Sequence, residues 1–428
     1  MLAETELAPR SRPDGPAAIV RSCVHCGFCT ATCPTYVLLG DERDSPRGRI
    51  QLIKAMLGAS DPPDEATVRH VDRCLSCLSC TTTCPSGVDY GALIDHARAH
   101  VEQNYRRPWH DRGLRALLAF LLPRPRAFEA ALALGRGFGW IARFVPDSRF
   151  KALGMLAARA PRDNSLPLPA ISRAATRQGQ VILLTGCVQD AIGRGIHHAT
   201  ARLLNRMGFD VMAPPGATCC GAILQHMGRS EAALTRARAL VDAWSPVLKA
   251  GTVDAVIVNA SGCGVTVKEL GDQLAHDSVY AERAMKISRL ARDVSEFVAE
   301  RGLPPVVWSH PPDVAYHPAC SIKHGQKLGD VPNALLRQVG CAVSIPADSH
   351  LCCGSAGVYN ILQPEIAGRL RDRKRAALAA TGARIVATTN LGCMIQLGDP
   401  DLTMIHVVEL LDHATGGPTP PSLPASTS

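Results

Sequence analysis

Eight cysteines in the first quarter of the chain have the residue type and the spacing of metal ligands. They form two copies of Cys-x2-Cys-x2-Cys-x3-Cys-Pro, at Cys23, Cys26, Cys29 and Cys33 and again at Cys74, Cys77, Cys80 and Cys84. The two-residue gaps let a tight loop direct successive sulfurs at neighbouring irons of one cubane, and the longer step directs the fourth sulfur elsewhere. The pattern therefore predicts one-electron transfer through [4Fe-4S] clusters.

The fourth cysteine of each motif decides how the ligands are shared. Both motifs match the bacterial two-cluster pattern at every defined position, and in that pattern the fourth cysteine ligates the other cluster. We therefore assign Cys23, Cys26, Cys29 and Cys84 to cluster I, and Cys74, Cys77, Cys80 and Cys33 to cluster II. Structural zinc is the alternative, but zinc does not require three cysteines at two-residue gaps followed by Cys-Pro. We interpret His25, inside the first motif, as a loop residue.

Eight further cysteines repeat a second pattern in the C-terminal half. A single cysteine, an adjacent pair with glycine and a fourth cysteine occur as Cys187, Cys219, Cys220 and Cys263, and again as Cys320, Cys352, Cys353 and Cys393. Each member of the second set lies about 130 residues after its counterpart, which predicts two consecutive copies of one fold. Adjacent sulfurs suit an unusual cluster or a redox pair better than an ordinary cubane, so these eight are candidate redox or cluster residues.

Other potentially reactive residues give weaker signals. Three histidines lie near the second cysteine set in the sequence: His317, His324 and His350. They either assist proton transfer or are ordinary loop and core histidines. Cys341 belongs to neither pattern and is interpreted as a packed thiol. We find no dinucleotide fingerprint and no Ser/His/Asp or paired-carboxylate constellation, so we assign no catalytic residue.

The apolar pattern predicts the elements that position the second cysteine set. Short β-rich runs end at a cysteine at 181–187, 253–263, 314–320 and 383–393, with helical patterns between them at 199–207 and 366–378. Strands that alternate with helices predict a parallel α/β sheet. Ligands of such sheets gather at the carboxyl ends of the strands, where these cysteines lie.

Helical spacing dominates the rest of the chain. Residues 47–58, between the two N-terminal motifs, carry apolar residues at helical spacing. An amphipathic stripe follows in the connector, formed by Leu114, Leu117, Leu118, Leu121 and Leu122 with arginines between them. Two interpretations of this helix stay open. Its apolar face packs on the protein's own core, or it docks on a partner or on an anionic membrane surface.

The predicted fold is α+β and multidomain, with an N-terminal α-helical two-[4Fe-4S] ferredoxin domain followed by two tandem α/β cysteine-rich repeats. A chain of 428 residues is long enough for two or three domains. The expected ranges are a disordered tail (1–18), the two-cluster domain (19–105), a helical connector and linker (106–180), the first and second repeats (181–305 and 306–413) and a disordered tail (414–428).

Composition excludes several classes of protein. The net charge of +8 falls to about +4 if each cluster contributes about −2, and no dense basic run points to nucleic acid. The N-terminus lacks the basic start and apolar core of a secretory signal, and no apolar stretch approaches the roughly 20 residues that span a bilayer. We expect a cytoplasmic protein without a transmembrane segment, whose membrane association is peripheral, on the inner face of the cell membrane, or through a partner.

The C-terminal half, from residue 181 to about 411, resembles the CCG or cysteine-rich domains of heterodisulfide reductases and related oxidoreductase subunits. In those domains, repeats that end in Cys-x2-Cys can hold a noncubane [4Fe-4S] cluster. The first of these terminal cysteines is Ala260 in one copy and Asn390 in the other. A further cluster or metal, reduced thiols and a redox disulfide therefore all stay open for this half.

The order of motifs is similar to that of the iron–sulfur subunit of glycolate oxidase (glycolate dehydrogenase). The strings CVHCGFCTATCPTYVLLGDERDSPRGRI, CLSCLSCTTTCPSGVDY, ASGCG, DSHLCCGSAGVY and TNLGC carry this resemblance. It implies a complex with FAD-containing subunits that oxidise glycolate, and sometimes D-lactate, to the 2-oxo acid (glyoxylate or pyruvate). This chain would then be the electron relay to a quinone or another membrane acceptor.

Three other classes stay open at this point. The iron–sulfur subunit of anaerobic glycerol-3-phosphate dehydrogenase has the same order of domains. In a heterodisulfide-reductase-like subunit, the C-terminal half would be catalytic. A zinc-bearing interaction scaffold would perform no redox chemistry.

Overall fold

The computed structural model describes residues 15–138, 147–161, 163, 165–217 and 219–423. Residues 1–14 and 424–428 of the predicted tails lie outside these ranges, as do residues 139–146, 162 and 164 of the predicted connector and linker. Within the described part, the first helix begins at Pro16, and Leu423 packs against the C-terminal core.

The N-terminal domain and the connector are helical. Their helices are α1 Pro16–Arg21, α2 Phe28–Ala31, α3 Pro34–Leu39, α4 Pro46–Gly58, α5 Glu65–Asp72, α6 Ser79–Thr83, α7 Tyr90–Asn104, α8 Trp109–Leu121, α9 Pro125–Phe138 and α10 Ser148–Arg159, with a 3-10 turn at Glu42–Asp44. Helix α4 confirms the predicted helical stretch. The Ser45 side chain caps it by accepting from the Gly48 N–H, and Pro46 fixes the first helical position.

Two sheets in the C-terminal half share one strand order. The strands of the first are β1 Ile171–Ser172, β2 Gly179–Leu184, β3 Phe209–Met212, β4 Ala255–Val258 and β5 Ala291–Asp293, and those of the second are β6 Asp313–Tyr316, β7 Ala342–Ser344, β8 Ile385–Thr388 and β9 Thr403–His406. Their orders are β1-β3-β2-β4-β5 and β7-β6-β8-β9, with every pair parallel except β1 with β3. Strands β6–β9 thus repeat the arrangement of β2–β5, which confirms the predicted duplication.

Helices cover these sheets. They are α11 Val188–Ile192, α12 Arg194–Arg206, α13 Ala222–His226, α14 Ser230–Ala250, α15 Ser261–Lys268, α16 Leu270–Gln273, α17 Ala281–Leu290, α18 Val294–Arg301, α19 Val331–Gln338, α20 Tyr359–Leu362, α21 Pro364–Ala379, α22 Leu391–Leu397 and α23 Val407–Ala414, with a π-helical turn at Ser321–Gly325. The predicted α+β architecture, a helical domain followed by two α/β repeats, is therefore confirmed.

The two repeats share one hydrophobic core. Val181 and Ile257 of the first sheet belong to the same buried cluster as Val314 and Ile405 of the second. Polar contacts continue the junction, since the Thr389 carbonyl accepts from the Ser261 N–H at 3.2 Å. The repeats are therefore packed as one body rather than linked as separate beads.

Helix α8 joins the helical domain to both repeats. Its Leu114 and Leu118 are buried in one cluster with Leu224 of the first repeat and Val358 of the second. This face of the predicted amphipathic helix therefore packs on the protein's own core. Within the described ranges, no helix has the length and apolar character needed to cross a bilayer.

Candidate iron–sulfur and cysteine-rich sites

The two N-terminal cysteine loops have the same backbone form. The residues that flank the middle cysteine have positive φ in both loops, 55° and 86° at His25 and Gly27 and 50° and 60° at Ser76 and Leu78. Left-handed backbone at both positions bends the loop sharply, and a short helix carrying the third cysteine begins at once. Each Cys-x2-Cys-x2-Cys loop thus gathers its first three sulfurs on one side.

Four cysteines from both motifs surround a first cleft, which is open to solvent and has an empty volume of about 430 Å³. Its sulfur-bearing residues are Cys23, Cys26, Cys29 and Cys84, with Cys80 shared with the neighbouring cleft. Cys26 is exposed, whereas Cys80 is buried. The structure therefore brings together the four residues that the sequence assigned to cluster I.

The second cleft, of about 340 Å³, lies deeper. Its cysteines are Cys33, Cys74, Cys77 and Cys80, the set that the sequence assigned to cluster II. Because Cys80 lines both clefts, the two candidate cluster sites are direct neighbours. Such proximity is what electron passage between two clusters requires.

A buried ion network supports the second cleft. Arg49, only 1% exposed, places Nη1 3.9 Å from the Cys33 sulfur and donates through Nη2 to Thr35 at 3.0 Å. The same guanidinium pairs with Asp44, which also contacts His70 at 2.9 Å. Burial alone would lower the pKa of Arg49. Electrostatic interactions with nearby groups, the largest of them with Tyr90, are stronger than this effect, so the pKa of Arg49 is raised. A fixed positive charge therefore lies beside the cysteines of the second cleft.

Hydrogen bonds also reach the Cys74 sulfur. The Tyr90 hydroxyl donates to it at 3.8 Å and the Ser76 N–H at 3.5 Å. Hydrogen bonds to cluster sulfurs are one of the means by which proteins set cluster potentials. Tyr90 begins α7, and the Asp89 side chain caps that helix by accepting from the Ala92 N–H.

Burial governs the ionisation of the cluster II thiols. Desolvation, followed by the neighbouring Cys320, raises the pKa of Cys77 well above its usual value, and desolvation does the same at Cys80. Thiols in such surroundings stay protonated unless a cation stabilises the thiolate. An iron–sulfur core held by four thiolates would supply that cationic charge.

The cysteines of each C-terminal repeat form two pairs. In the first repeat, Cys187 hydrogen-bonds to Cys219, and Cys220 hydrogen-bonds to Cys263. The hydrogen bond from Cys187 is the main cause that lowers the pKa of Cys219 to about 7.

The second repeat has the same pairing. The Cys320 and Cys352 sulfurs are 3.9 Å apart, and those of Cys353 and Cys393 are 3.3 Å apart. These separations exceed a disulfide bond, which is about 2.05 Å long. The four thiols are therefore paired by proximity and not by a covalent bond.

A left-handed glycine follows each adjacent cysteine pair. Gly221 and Gly354 have φ of 87° and 88°. A Cβ atom at Gly354 would lie 2.7 Å from the Ala367 carbonyl oxygen, and one at Gly221 would lie 3.0 Å from that of Ala233. Only glycine fits this combination of backbone form and close approach, which explains the Cys-Cys-Gly pattern of both repeats.

The second repeat lies directly against the second cleft, the candidate site of cluster II. Cys77 and Cys320 pack in one cluster around Leu75, Cys352 and Tyr359. A cleft with an empty volume of about 1000 Å³ opens nearby. Its lining comes from the helical domain and both repeats and includes Ser76, Asp95, His226, Glu269, Ser321 and His324.

The remaining predicted residues have distinct surroundings. His324 bridges two domains, with Nδ1 2.8 Å from the Thr82 hydroxyl, and the His350 carbonyl lies 3.3 Å from its other ring nitrogen. His25 contacts Gln51 at 2.9 Å. Cys341 is buried in the shared core, and burial raises its pKa to about 12.

Sequence reasoning missed the charged and polar residues that support the sites. Arg49, Tyr90 and Lys374 reach the cysteines only through tertiary packing, and nothing in their local sequence distinguishes them from ordinary helix residues. A buried charge is detectable only once the fold places it.

Comparison with protein families agrees with this geometry. Residues 19–88 match the family described as "4Fe-4S dicluster domain", and residues 181–268 and 314–398 match the "Cysteine-rich domain". The fold and sites thus define an iron–sulfur protein of the class that joins a dicluster domain to two cysteine-rich repeats. The matches favour iron–sulfur clusters over structural zinc for the N-terminal motifs.

Individual relatives identify the family. The chain is 40% identical to the glycolate oxidase iron-sulfur subunit of Escherichia coli, over 96% of this chain and 99% of that protein. It is 31% identical to the probable glycolate oxidase iron-sulfur subunit of Bacillus subtilis, over 93% of this chain and 94% of the relative. The chain belongs to the family of glycolate oxidase iron–sulfur subunits, which confirms the resemblance inferred from its motifs.

Two more distant similarities, one to a curated protein and one to a solved structure, show less about this chain. Lactate utilization protein A of Bacillus pumilus is 22% identical over 54% of this chain and 99% of that protein. The crystal structure of a hypothetical protein from Helicobacter pylori superposes with a TM-score of 0.52 at 11% identity, over 87% of this chain and 68% of the other. This last likeness concerns the fold alone.

Proposed function

We propose that this chain is the electron-transfer subunit of a glycolate-oxidising complex. FAD-containing partner subunits would oxidise glycolate to glyoxylate, or D-lactate to pyruvate, and electrons would pass through this chain to a quinone or another membrane acceptor. The observation that carries the proposal is the line of neighbouring cysteine sites, from exposed Cys26 through Cys80 to Cys77 and Cys320. The relatives' names supply the substrate.

The proposed cluster ligands follow the two clefts. Cluster I would be held by Cys23, Cys26, Cys29 and Cys84, and cluster II by Cys74, Cys77, Cys80 and Cys33. The dicluster match over residues 19–88 supports this assignment.

The division of labour follows from electron counting. Oxidation of glycolate to glyoxylate releases two electrons and two protons, which a flavin accepts together. Each [4Fe-4S] cluster then accepts one electron at a time. The chain's own residues hold the clusters, shield cluster II from water and fix the distance between the two clefts.

The flavin subunit is proposed to dock at cluster I. Val24 and Phe28 flank Cys26 and are 68% and 62% exposed. Exposed apolar side chains around the accessible end of the cluster line suit a protein interface. Electrons received there would move inward towards cluster II and the second repeat.

Peripheral membrane association is proposed through the outer face of α8. Trp109, Leu117 and Phe120 are exposed on this helix, and Arg112 and Arg124 are exposed beside them. Exposed apolar side chains with arginines at their margin are typical of helices that lie in the interface of an anionic membrane. This placement supports a cytoplasmic protein on the inner face of the cell membrane.

Anaerobic co-purification with reduction assays tests the proposal. The full chain should contain about eight irons in its two N-terminal clusters, co-purify with flavin-containing subunits, and show EPR signals of reduced clusters after addition of glycolate. Co-purification with a glycerol-3-phosphate flavoprotein, with reduction by glycerol 3-phosphate and not by glycolate, would instead establish the rival assignment.

A further inference from the structure

His317 is a buried imidazole without a hydrogen-bond partner. Its side chain is 1% exposed, and among the described residues neither ring nitrogen has a partner. Buried polar groups are nearly always paired, because an unpaired group loses its hydration without compensation. One ring nitrogen and the sulfurs of Cys353 and Cys393 all lie within 4.8 Å of one another. Two thiols and an imidazole at such distances are suitable ligands for a soft metal ion.

A buried ammonium group lies beside the same cysteines. Lys374 is 2% exposed and donates to the Asp348 carbonyl at 2.5 Å. Burial lowers the pKa of Lys374, and Cys353, Cys352, Asp348 and Cys393 act electrostatically in the opposite direction. A buried cation needs a negative counterpart, and the cysteine sulfurs supply it when they are metal-bound thiolates.

The first repeat lacks both features. The position of His317, three residues before Cys320, is occupied by Leu184 before Cys187 in the first repeat. The position of Lys374 after Gly354 is occupied by Val241 after Gly221. Leu184 and Val241 are both buried in the apolar core of the first repeat. The nitrogen ligand and the compensating charge are therefore specific to the second repeat.

The donors cover more space than the coordination sphere of one ion. Cys320 and Cys352, 3.9 Å apart, lie outside the compact group of His317, Cys353 and Cys393. Five donors in two groups favour a polynuclear iron–sulfur centre over a single zinc ion, which takes four ligands around one point. Cys320 and Cys77 pack against the same apolar cluster, which places this centre next to the proposed cluster II.

We propose that the second repeat holds a third iron–sulfur centre in which His317 is a ligand together with Cys353 and Cys393, and in which Cys320 and Cys352 complete the set. His317 thereby supplies the fifth donor that Asn390 cannot provide. The first repeat holds no equivalent centre. Neutral imidazole in place of thiolate makes a cluster less negative and raises its potential, as in Rieske centres. The centre then accepts electrons from cluster II, a role that rests on the proposed function.

The test uses the full chain purified without oxygen. The wild-type protein is expected to contain more than the roughly eight irons of two cubanes, and pulsed EPR of its reduced form should show nitrogen hyperfine coupling that disappears in His317→Ala. His350→Ala, a nearby partly buried histidine, is the matched control and should keep both the extra iron and the coupling. His317→Cys should restore the iron without the coupling, at a lower midpoint potential.

Several outcomes would overturn the proposal: two cubanes with no extra iron, zinc in place of iron in the second repeat, or an unchanged third signal in His317→Ala. The signals of clusters I and II report whether each variant has folded. Dithionite reduces the protein without any partner, so these readouts stay valid even if glycolate does not reduce the chain. Failure of the third centre and failure of the proposed function are therefore distinguishable.

Discussion

The side-chain oxygen of Thr82 lies 2.8 Å from Nδ1 of His324, a residue 242 positions further along the chain. Thr82 follows Cys80 in α6, and His324 belongs to the π-helical turn that follows Cys320. A second polar contact joins the same domains, since the Tyr359 hydroxyl donates to the Arg73 carbonyl at 2.9 Å. These contacts hold the second repeat against the loop that carries Cys77.

Replacing Cys77 should remove one cluster and leave the other. Cys77→Ala is expected to reduce the N-terminal iron content from about eight to about four atoms, since cluster II loses a ligand. Iron analysis and EPR of the reduced protein measure this. Cys341→Ala, which removes a buried thiol outside both patterns, is the control and should keep all the iron. A full iron content in Cys77→Ala would refute the ligand assignment.

Loss of Arg49 should affect stability and potential together. Arg49→Met leaves Asp44 buried with fewer partners, for which about 3–5 kcal/mol of destabilisation is typical. The midpoint potential of cluster II should fall, because a positive charge beside Cys33 is lost. Anaerobic thermal unfolding and redox titration measure the two effects. Arg43→Met, at an exposed ion pair, should change neither, and an unchanged potential in Arg49→Met would exclude this electrostatic role.

The left-handed glycine of the second repeat offers a matched pair of variants. Gly354→Ala should destabilise the protein by about 1–3 kcal/mol, since its methyl group would meet the Ala367 carbonyl at a positive φ. Gly368→Ala, on the open side of α21, should stabilise by about 0.5–1 kcal/mol through its helix preference. Thermal unfolding compares the two, and equal effects would show that the close approach at Gly354 is unimportant.

Stability should fall as pH rises through neutrality because of Glu409. Burial, only partly offset by the hydrogen bond from the His406 N–H, raises its pKa from 4.5 to about 7. The folded state therefore binds this proton more tightly than the unfolded state, so the stabilisation is fully present below about pH 4.5 and is lost as pH increases from there through about 7. Melting temperatures at about pH 5 and about pH 8, on either side of most of this change, should differ less in Glu409→Gln than in the wild type. An equal pH dependence would contradict the assignment.

Membrane docking through α8 should depend on its exposed aromatic residues. Phe120→Ser is expected to weaken binding to phosphatidylglycerol vesicles about tenfold, since burial of such a side chain is worth roughly 1.5–3 kcal/mol. Vesicle co-sedimentation at two salt concentrations measures the affinity. Val279→Ser, at an exposed apolar residue of the first repeat, is the control. The same affinity in both variants, or no binding by the wild type, would exclude this surface.

The cysteine motifs and the main strands were predictable because their signals are local. Strands β2, β4, β6 and β8 are buried apolar runs that lead into a cysteine, and all four lie where the sequence placed them. The three-residue strands β5 and β7 contain polar residues, and their pairing depends on neighbours distant in sequence. Short outer strands of this kind carry little periodicity to detect.

The surroundings of the cysteines were not predictable, for a different reason. Lys374 lies on a helix whose sequence has the pattern of a solvated charged surface, yet its side chain is buried and interacts electrostatically with Cys352 and Cys353. The unpartnered nitrogens of His317 and the packing of Cys77 and Cys320 against one apolar cluster likewise depend on how distant segments pack. Sequence spacing identifies ligands within one loop, whereas the charges and neighbours that tune them come from the assembled molecule.

The common core of the two repeats has a consequence for how the molecule melts and how it can be divided. Val181 and Val314 lie in one buried cluster, so a cut between the repeats would leave each fragment with an uncovered apolar surface. Neither half should therefore be an autonomous module, and the pair should unfold cooperatively in a single transition. An ancestral duplication has in this way become an indivisible scaffold.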